Sequence, residues 1–249
     1  MNTPSTPAPA LPRVVSREEW LAARKQLLAE EKALTRMRDA VAAKRRRLPM
    51  VKLDKDYVFH GPDGEVSLLS LFAGRRQLYV HHFMWSEERG HCPGCSATAD
   101  MIFNNPHILA NFAAHDLSFV CISRAPLSKI EERRLERGWT FPWVSSEGTD
   151  FNYDFHITLD ESRAPIEYNY RSKEELIAAG FKAEDLRGDW TGASVFLRDG
   201  DTVYHTYSVY ARGQDHLGVN YNYLDLTPYG RQEDWEDSPA GWPQRPTYG

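Results

Sequence analysis

No apolar run in this chain approaches the eighteen or so residues that a membrane span needs, so no spanning helix and no membrane partner are expected. Cysteine is scarce. Cys92, Cys95 and Cys121 are the only three in 249 residues, an odd and small number that excludes a disulfide framework and makes the cytoplasm the expected compartment. Positive charge is not in excess either. Thirty Lys and Arg face 35 Asp and Glu, a net charge of -5 that argues against non-specific nucleic-acid binding. The opening stretch MNTPSTPAPALPR lacks the basic and apolar regions of a secretory signal. His-Glu-x-x-His, Gly-x-Ser-x-Gly, Walker and Gly-x-Gly-x-x-Gly patterns are all missing, and the many carboxylates define no acid/base pair. With hydrophobic residues at 41% and charged residues at 26%, an ordinary globular protein remains.

The periodicity changes along the chain. Residues 1–13 read as a disordered, Pro-rich tail, and 14–49 as a helical extension. Ser16 with Glu19 fits a capping box, and the run KRRR before Pro49 suits a helix C-terminus. Trp20, Leu27, Leu34, Val41 and Leu48 recur every seven residues, joined by Leu21, Leu28 and Met37. That single stripe on a charged helix predicts packing along the domain or against a partner subunit, here a homodimer. From Tyr57, YVFHGPDGEVSLLSLF predicts two short strands about a turn, and RQLYVHHFMW a buried strand. Helices are expected at CSATADMIFNN and PHILANFAAH, a buried strand at DLSFVCISRA, and a helix at PLSKIEERRLERG ending on Gly138. ASVFLRDGDTVYHTYSVY predicts a hairpin about Asp-Gly. The order indicates one layered α/β domain over 50–230 with a mixed sheet flanked by helices, then an irregular tail over 231–249.

The chemistry centres on HCPGC, residues 91–95. If Cys92 ends a strand-to-helix loop, Pro93 takes the first helical position, where its missing N–H is harmless. Backbone N–H groups and the helix dipole then favour a Cys92 thiolate, and Cys95, one turn on, is placed to resolve a mixed disulfide. The rival reading is a metal site, for which His91, His81 and His82 are at hand. There is no second Cys-x-x-Cys, and His81 and His82 alternate across a strand, so at most one can face the thiols. The order also differs from the Cys-x-x-Cys-His of haem attachment and from zinc deaminase signatures. Redox use is favoured, with zinc or a structural pair as alternatives. Cys121 reads as a small buried hydrophobe.

The segments KDYVFHGPDGEVSL, HFM, CPGCS, SRAPLSKIE, GWTFPWVSSEGTDFNYDFH, HTYSVYARG and YLDLTPYGR together resemble a bacterial thioredoxin-like family catalogued as domain of unknown function 899, over about residues 15 to 232. The resemblance implies a thioredoxin-like fold with the Cys-x-x-Cys after the first central strand, and no particular reaction. Two departures from thioredoxins stand out. The dipeptide is Pro93-Gly94 rather than Gly-Pro, and WTGASVF has no proline where thioredoxins carry a cis-proline. The lead-in GPDGEVSLLSLF is closer to the peroxiredoxin branch. Yet Arg89 stands where peroxiredoxins place Thr, so thiol–disulfide exchange is favoured over peroxidase activity.

Ligands of such sheets collect beyond the C-terminal ends of the parallel strands. Arg124, at the end of the second, is a candidate to stabilise the Cys92 thiolate; Trp85 and His91 flank the dithiol and Pro93 lies within it, all three candidates for the substrate pocket, with His91 a candidate proton shuttle. Trp143, Ser145, Asp150, Asn152 and Tyr153 are candidate pocket walls, with core packing as the alternative. His205, Tyr207 and Arg212 are further candidates, of which only a subset can face one way. The expectation is a thiol–disulfide oxidoreductase without cofactor, Cys92 attacking and Cys95 resolving, acting on a thiol or disulfide substrate and drawing on a reductant. The alternative is a non-enzymatic protein of the same fold that binds a small molecule or zinc.

Overall fold

The computed structural model describes residues 10–86 and 90–245. Contacts divide the chain into two units: residues 48–215, and a second unit in which the N-terminal segment through 47 joins the segment from 216 onward. The sequence-based boundary at 230 falls within that second unit.

In the smaller unit, α1 (Arg17–Arg45) starts at a full capping box between Ser16 and Glu19. Glu18 and Glu19 lie in its first turn and Lys44 and Arg45 in its last, each sign opposed to the local end of the helix dipole. None of its residues is buried, and the predicted stripe lies open. The described part of the C-terminal tail, 231–245, is turns and one isolated bridge between Glu233 and Arg245.

The larger unit opens with β1 (Val51–Lys52), β2 (Val58–Gly61), β3 (Gly64–Ser67) and β4 (Gln77–His82). A small hairpin follows, β5 (Trp85–Ser86) with β6 (Gly90–His91). Next come α2 (Pro93–Thr98), which runs on into a π turn at Ala99–Phe103, and α3 (Pro106–Ala114). After β7 (Leu117–Ser123) the chain forms α4 (Leu127–Arg137) and β8 (Trp143–Ser145). Short elements fill the next stretch: α5 (Phe151–Asp154), β9 (Thr158–Leu159), β10 (Glu167–Tyr168), β11 (Arg171–Ser172), α6 (Lys173–Ala178) and β12 (Gly188–Asp189). The long hairpin of β13 (Gly192–Asp199) and β14 (Thr202–Tyr210) closes the unit, and α7 (Val219–Leu224) lies beyond it, in the smaller unit.

The main sheet has the order β1-β14-β13-β4-β7-β8-β2-β3. β4, β7 and β8 run parallel, and the β13–β14 hairpin adds antiparallel to β4. Central parallel strands, a dithiol helix after the first and an antiparallel pair beside it make this a thioredoxin-like fold. Parallel strands buried on both faces favour apolar residues, and β7, LSFVCIS, is apolar except at Ser118 and Ser123, whose buried hydroxyls donate to the Phe72 and Phe83 carbonyls at 2.6 and 2.7 Å. Alternate residues feed two cores. Leu78, Val80, Val120 and Ile122 enter one with Phe151, Phe155 and Phe196. Phe83, Phe119, Cys121 and Trp143 enter the other with Cys95 and Phe103.

Candidate active site

The dithiol stands where strand-to-helix geometry puts it. Cys92 is the N-cap of α2 with extended backbone (φ -69°, ψ 126°), and Pro93 is the first helical residue. The Cys95 backbone N–H donates to Cys92 Sγ at 3.4 Å, and Ser96 Oγ donates to the Cys92 carbonyl at 3.0 Å. Both cysteines are free thiols, Cys92 partly exposed and Cys95 buried. The Cys92 thiol is pulled down from 9.0 to about 6. The largest cause is the hydrogen bond from the Cys95 side chain; burial opposes it, and the Cys95 and Gly94 backbone N–H groups assist. The sequence assigned this role to the helix end, whereas the second thiol contributes most. By the same contact Cys95 is pushed well above its ordinary value, with burial and the Cys92 charge adding to the push.

The residues around the pair separate into neighbours and bystanders. Trp85 and His91 are paired across the β5–β6 hairpin, and Trp85 packs against the core that holds Cys95. Arg133 donates from Nη2 to His91 Nε2 at 2.6 Å, so the proton of the neutral ring sits on Nδ1. Burial, then the Arg133 charge, lowers the His91 pKa, which moves its titration away from the neutral range expected of a shuttle. Arg124 does not serve Cys92. Its Nη1 pairs with Asp189 Oδ1 at 3.3 Å and its guanidinium lies 5.0 Å from the Tyr153 ring centre. Nor are Trp143 and Ser145 pocket walls. Trp143 is 1% exposed, donates from Nε1 to Ser123 Oγ at 2.9 Å and packs on Phe83, while fully buried Ser145 donates to the Ala125 carbonyl at 2.6 Å. The apolar alternation of β7 and β8 draws both inward.

Asp150 pairs with Lys55 and Arg163, and buried Asn152 accepts from Ser146 Oγ at 2.8 Å. Tyr207 sits opposite Val195 in the β13–β14 hairpin, and Arg212 reaches Asp215 at 3.3 Å. His205 belongs to a polar chain on the other core face. It runs from His82 Nε2 to Ser194 Oγ (2.8 Å), on to Ser208 Oγ (2.9 Å) and to His205 Nε2 (2.8 Å). His81 instead lies against Phe103, so the two adjacent histidines do face opposite ways. Cys121 is fully buried among aromatic rings, and that burial raises its pKa. Arg89 lies outside the described residues. Among the described residues no three His, Cys, Asp or Glu side chains are grouped to hold a metal ion.

Three neighbours escaped the sequence reading. Thr191 stands just before β13, with Oγ1 3.9 Å from Cys95 Sγ. The missing proline in WTGASVF marked this position without indicating what a threonine would do there. Gly192 follows because a Cβ there would come within 2.6 Å of Ile157 Cδ1 and 3.0 Å of Tyr210 Cδ1. Asp189, two residues before Thr191, has a side chain that is only 6% exposed; it accepts from Thr158 Oγ1 at 2.6 Å, and burial raises its pKa. Arg133 approaches His91 from a helix 42 residues away, and no local pattern signals it. Beside Asp189 a depression of about 460 Å³ is lined by Arg124, Tyr153, Thr158, Asp160, Leu186 and Arg187. β12, which carries Asp189, packs beside β5 of the dithiol hairpin.

Comparisons with solved structures give low likenesses. Peroxidoxin BcpB from Mycobacterium tuberculosis matches with a TM-score of 0.43 and 14% identity, over 68% of this chain and 91% of its own. A cysteine-to-serine mutant of PrxQ from Xylella fastidiosa matches at 0.43 and 12%, over 71% and 97%. A putative protein disulfide isomerase from Bacteroides thetaiotaomicron matches at 0.38 and 18%, over 70% and 89%. At such values the fold assignment rests on strand order and on where the cysteines fall. No curated protein matches the sequence. A family model does match, along residues 9–248, and by that match the chain belongs to the bacterial proteins of unknown function grouped as DUF899.

Proposed function

We propose that the protein is a thiol–disulfide oxidoreductase in which Cys92 attacks and Cys95 resolves. The observation that carries this reading is the placement of the pair: Cys92, partly exposed, caps α2 and accepts the Cys95 N–H at 3.4 Å, while Cys95 is buried one turn on, so that the first thiol is lowered to about 6 and the second raised. At neutral pH the first is mostly thiolate, the nucleophilic form, while the second keeps its proton and donates it to that thiolate.

The coupling sets the order of events. Attack by Cys92 on a substrate disulfide forms a mixed disulfide and expels one substrate thiolate. The Cys92 charge is then gone, and with it two of the three causes that hold Cys95 up, its hydrogen bond to Cys92 and the Cys92 charge. Cys95 ionises more readily and attacks Cys92 Sγ, and the second substrate sulfur leaves as a thiolate that takes up a proton. The substrate gains two electrons, the protein holds a Cys92–Cys95 disulfide, and a dithiol reductant restores it.

The test is direct. Reduced protein mixed with glutathione disulfide should lose both thiols and release two glutathiones per chain. Cys95→Ser should stop at a stable Cys92 mixed disulfide, and Cys92→Ser should not react. Retention of both thiols by the wild-type protein at pH 7 would overturn the reading.

A further inference from the structure

We infer that Thr191 is a catalytic residue of the resolving step, its hydroxyl donating to Cys95 Sγ as that thiol becomes a thiolate, with Gln214 as its positioning residue. This deepens the dithiol reading and rests on it. Three contacts argue for it. Thr191 Oγ1 lies 3.9 Å from Cys95 Sγ, within hydrogen-bonding range of a sulfur. Gln214 Nε2 lies 3.5 Å from the same Oγ1 and can only donate, which occupies the oxygen as acceptor and leaves the hydroxyl proton for the sulfur. Tyr168 Oη donates to the Thr191 carbonyl at 2.7 Å and itself accepts from the Ala211 N–H at 3.0 Å, which fixes the backbone that carries the hydroxyl. Gly192 permits the close approach of that backbone to Ile157 and Tyr210.

The need for such a donor follows from burial. Cys95 is 3% exposed, so water cannot solvate its thiolate, and an unsolvated anion requires donors from the protein. Before the first attack Cys95 donates its proton to Cys92. Once Cys92 is capped that interaction ends, and the forces that lower Cys95 are a backbone hydrogen bond at Met84 and the Thr191 side chain. A proline at position 191 would have no hydroxyl to offer.

The experiment uses the full chain and glutathione disulfide in single turnover, with quenched samples separated by mass. Thr191→Val should leave formation of the Cys92 mixed disulfide at the wild-type rate. It should slow its resolution roughly fivefold at pH 7, as expected for loss of about one hydrogen bond, and displace the pH inflection of resolution upward. Thr191→Ser, which keeps the hydroxyl, should resolve like wild type. Gln214→Leu should displace the same inflection in the same direction by less, with formation unchanged. A second readout does not need turnover: in Cys92→Ser, adding Thr191→Val should raise the pH at which the Cys95 thiolate absorbs in the ultraviolet. Resolution by Thr191→Val at the wild-type rate and inflection would overturn the inference, as would a slowing of formation by the same factor. If wild-type protein forms no mixed disulfide, the dithiol reading itself fails and the inference with it. If wild type forms and resolves one regardless of Thr191, only the inference fails.

Discussion

Cys95→Ala should make Cys92 a weaker acid, and the size of the effect on reactivity depends strongly on pH. With its pKa lowered from 9.0 to about 6, Cys92 is about nine-tenths thiolate at pH 7, where an unperturbed thiol is roughly one part in a hundred. Thiolate population is not reactivity, because a less basic thiolate is a poorer nucleophile. With a Brønsted coefficient of about 0.45, a drop of three in pKa costs roughly twentyfold in intrinsic rate. The gain at pH 7 is therefore only about fourfold. At pH 5 the populations differ by about nine hundredfold, and the net gain is about fortyfold. Alkylation of Cys92 by iodoacetamide from pH 4 to 9, read by peptide mass, should rise with an inflection near 6 in the wild type. Cys95→Ala removes the largest lowering contribution and leaves burial opposed by two backbone N–H groups, so its inflection should move up and most of the advantage at pH 5 should vanish. Cys95→Ser keeps an O–H donor and should fall between. A wild-type inflection above 8, or one unmoved by Cys95→Ala, would refute the hydrogen-bond account.

Other consequences can be measured separately. His81 and His82 are buried with pKa values lowered by burial to about 4 and about 3, so below the unperturbed 6.5 the unfolded chain binds protons that the folded chain refuses. Stability should be full above that value and fall as pH drops through it, by about 2 kcal/mol per histidine at pH 5; equal urea midpoints at pH 7 and 5 would contradict this. Trp143→Phe should lose the bond to Ser123 and about 1–2 kcal/mol of stability while exchange stays at the wild-type rate, since Trp143 is core; a selective loss of exchange would return it to the site. On α1, Trp20, Leu27, Leu34 and Val41 are 47, 51, 52 and 43% exposed at seven-residue spacing, and its acidic first turn complements its basic last turn. An antiparallel pairing with a second copy is expected, as a dimer by light scattering at micromolar concentration that Leu27→Ser with Leu34→Ser dissociates; a monomeric wild type would refute it.

Elements with a strong period were legible. The capping box at Ser16, the apolar runs of β4 and β7, Pro93 at a helix start, Gly138 at a helix end and the Asp-Gly hairpin all appear where local rules put them. The stretch from 151 to 191 was not legible. Its pairs, β9 with β12 and β10 with β11, are two residues long, too short for any alternation to show. β8 was missed for a similar reason: WVS is three residues, and its Trp and Ser suggested a pocket before the parallel sheet enclosed them on both faces.

The sequence by itself determined the dithiol, its place after a buried strand, and the helix start that sets Cys92 at the cap and Cys95 one turn on, because these depend on neighbours within a turn of chain; the burial of Cys95 comes from packing with Phe83, Phe119 and Trp143. Only the tertiary structure decided what surrounds them. Arg124 turned to Asp189, Arg133 to His91, and Thr191 to Cys95 across separations of 65, 42 and 96 residues. Such contacts come from strand order and from how closely β13 approaches Ile157, through a glycine, and no local period encodes either. The thiol that attacks was written in five residues, and the hydroxyl placed beside its partner was set by the fold.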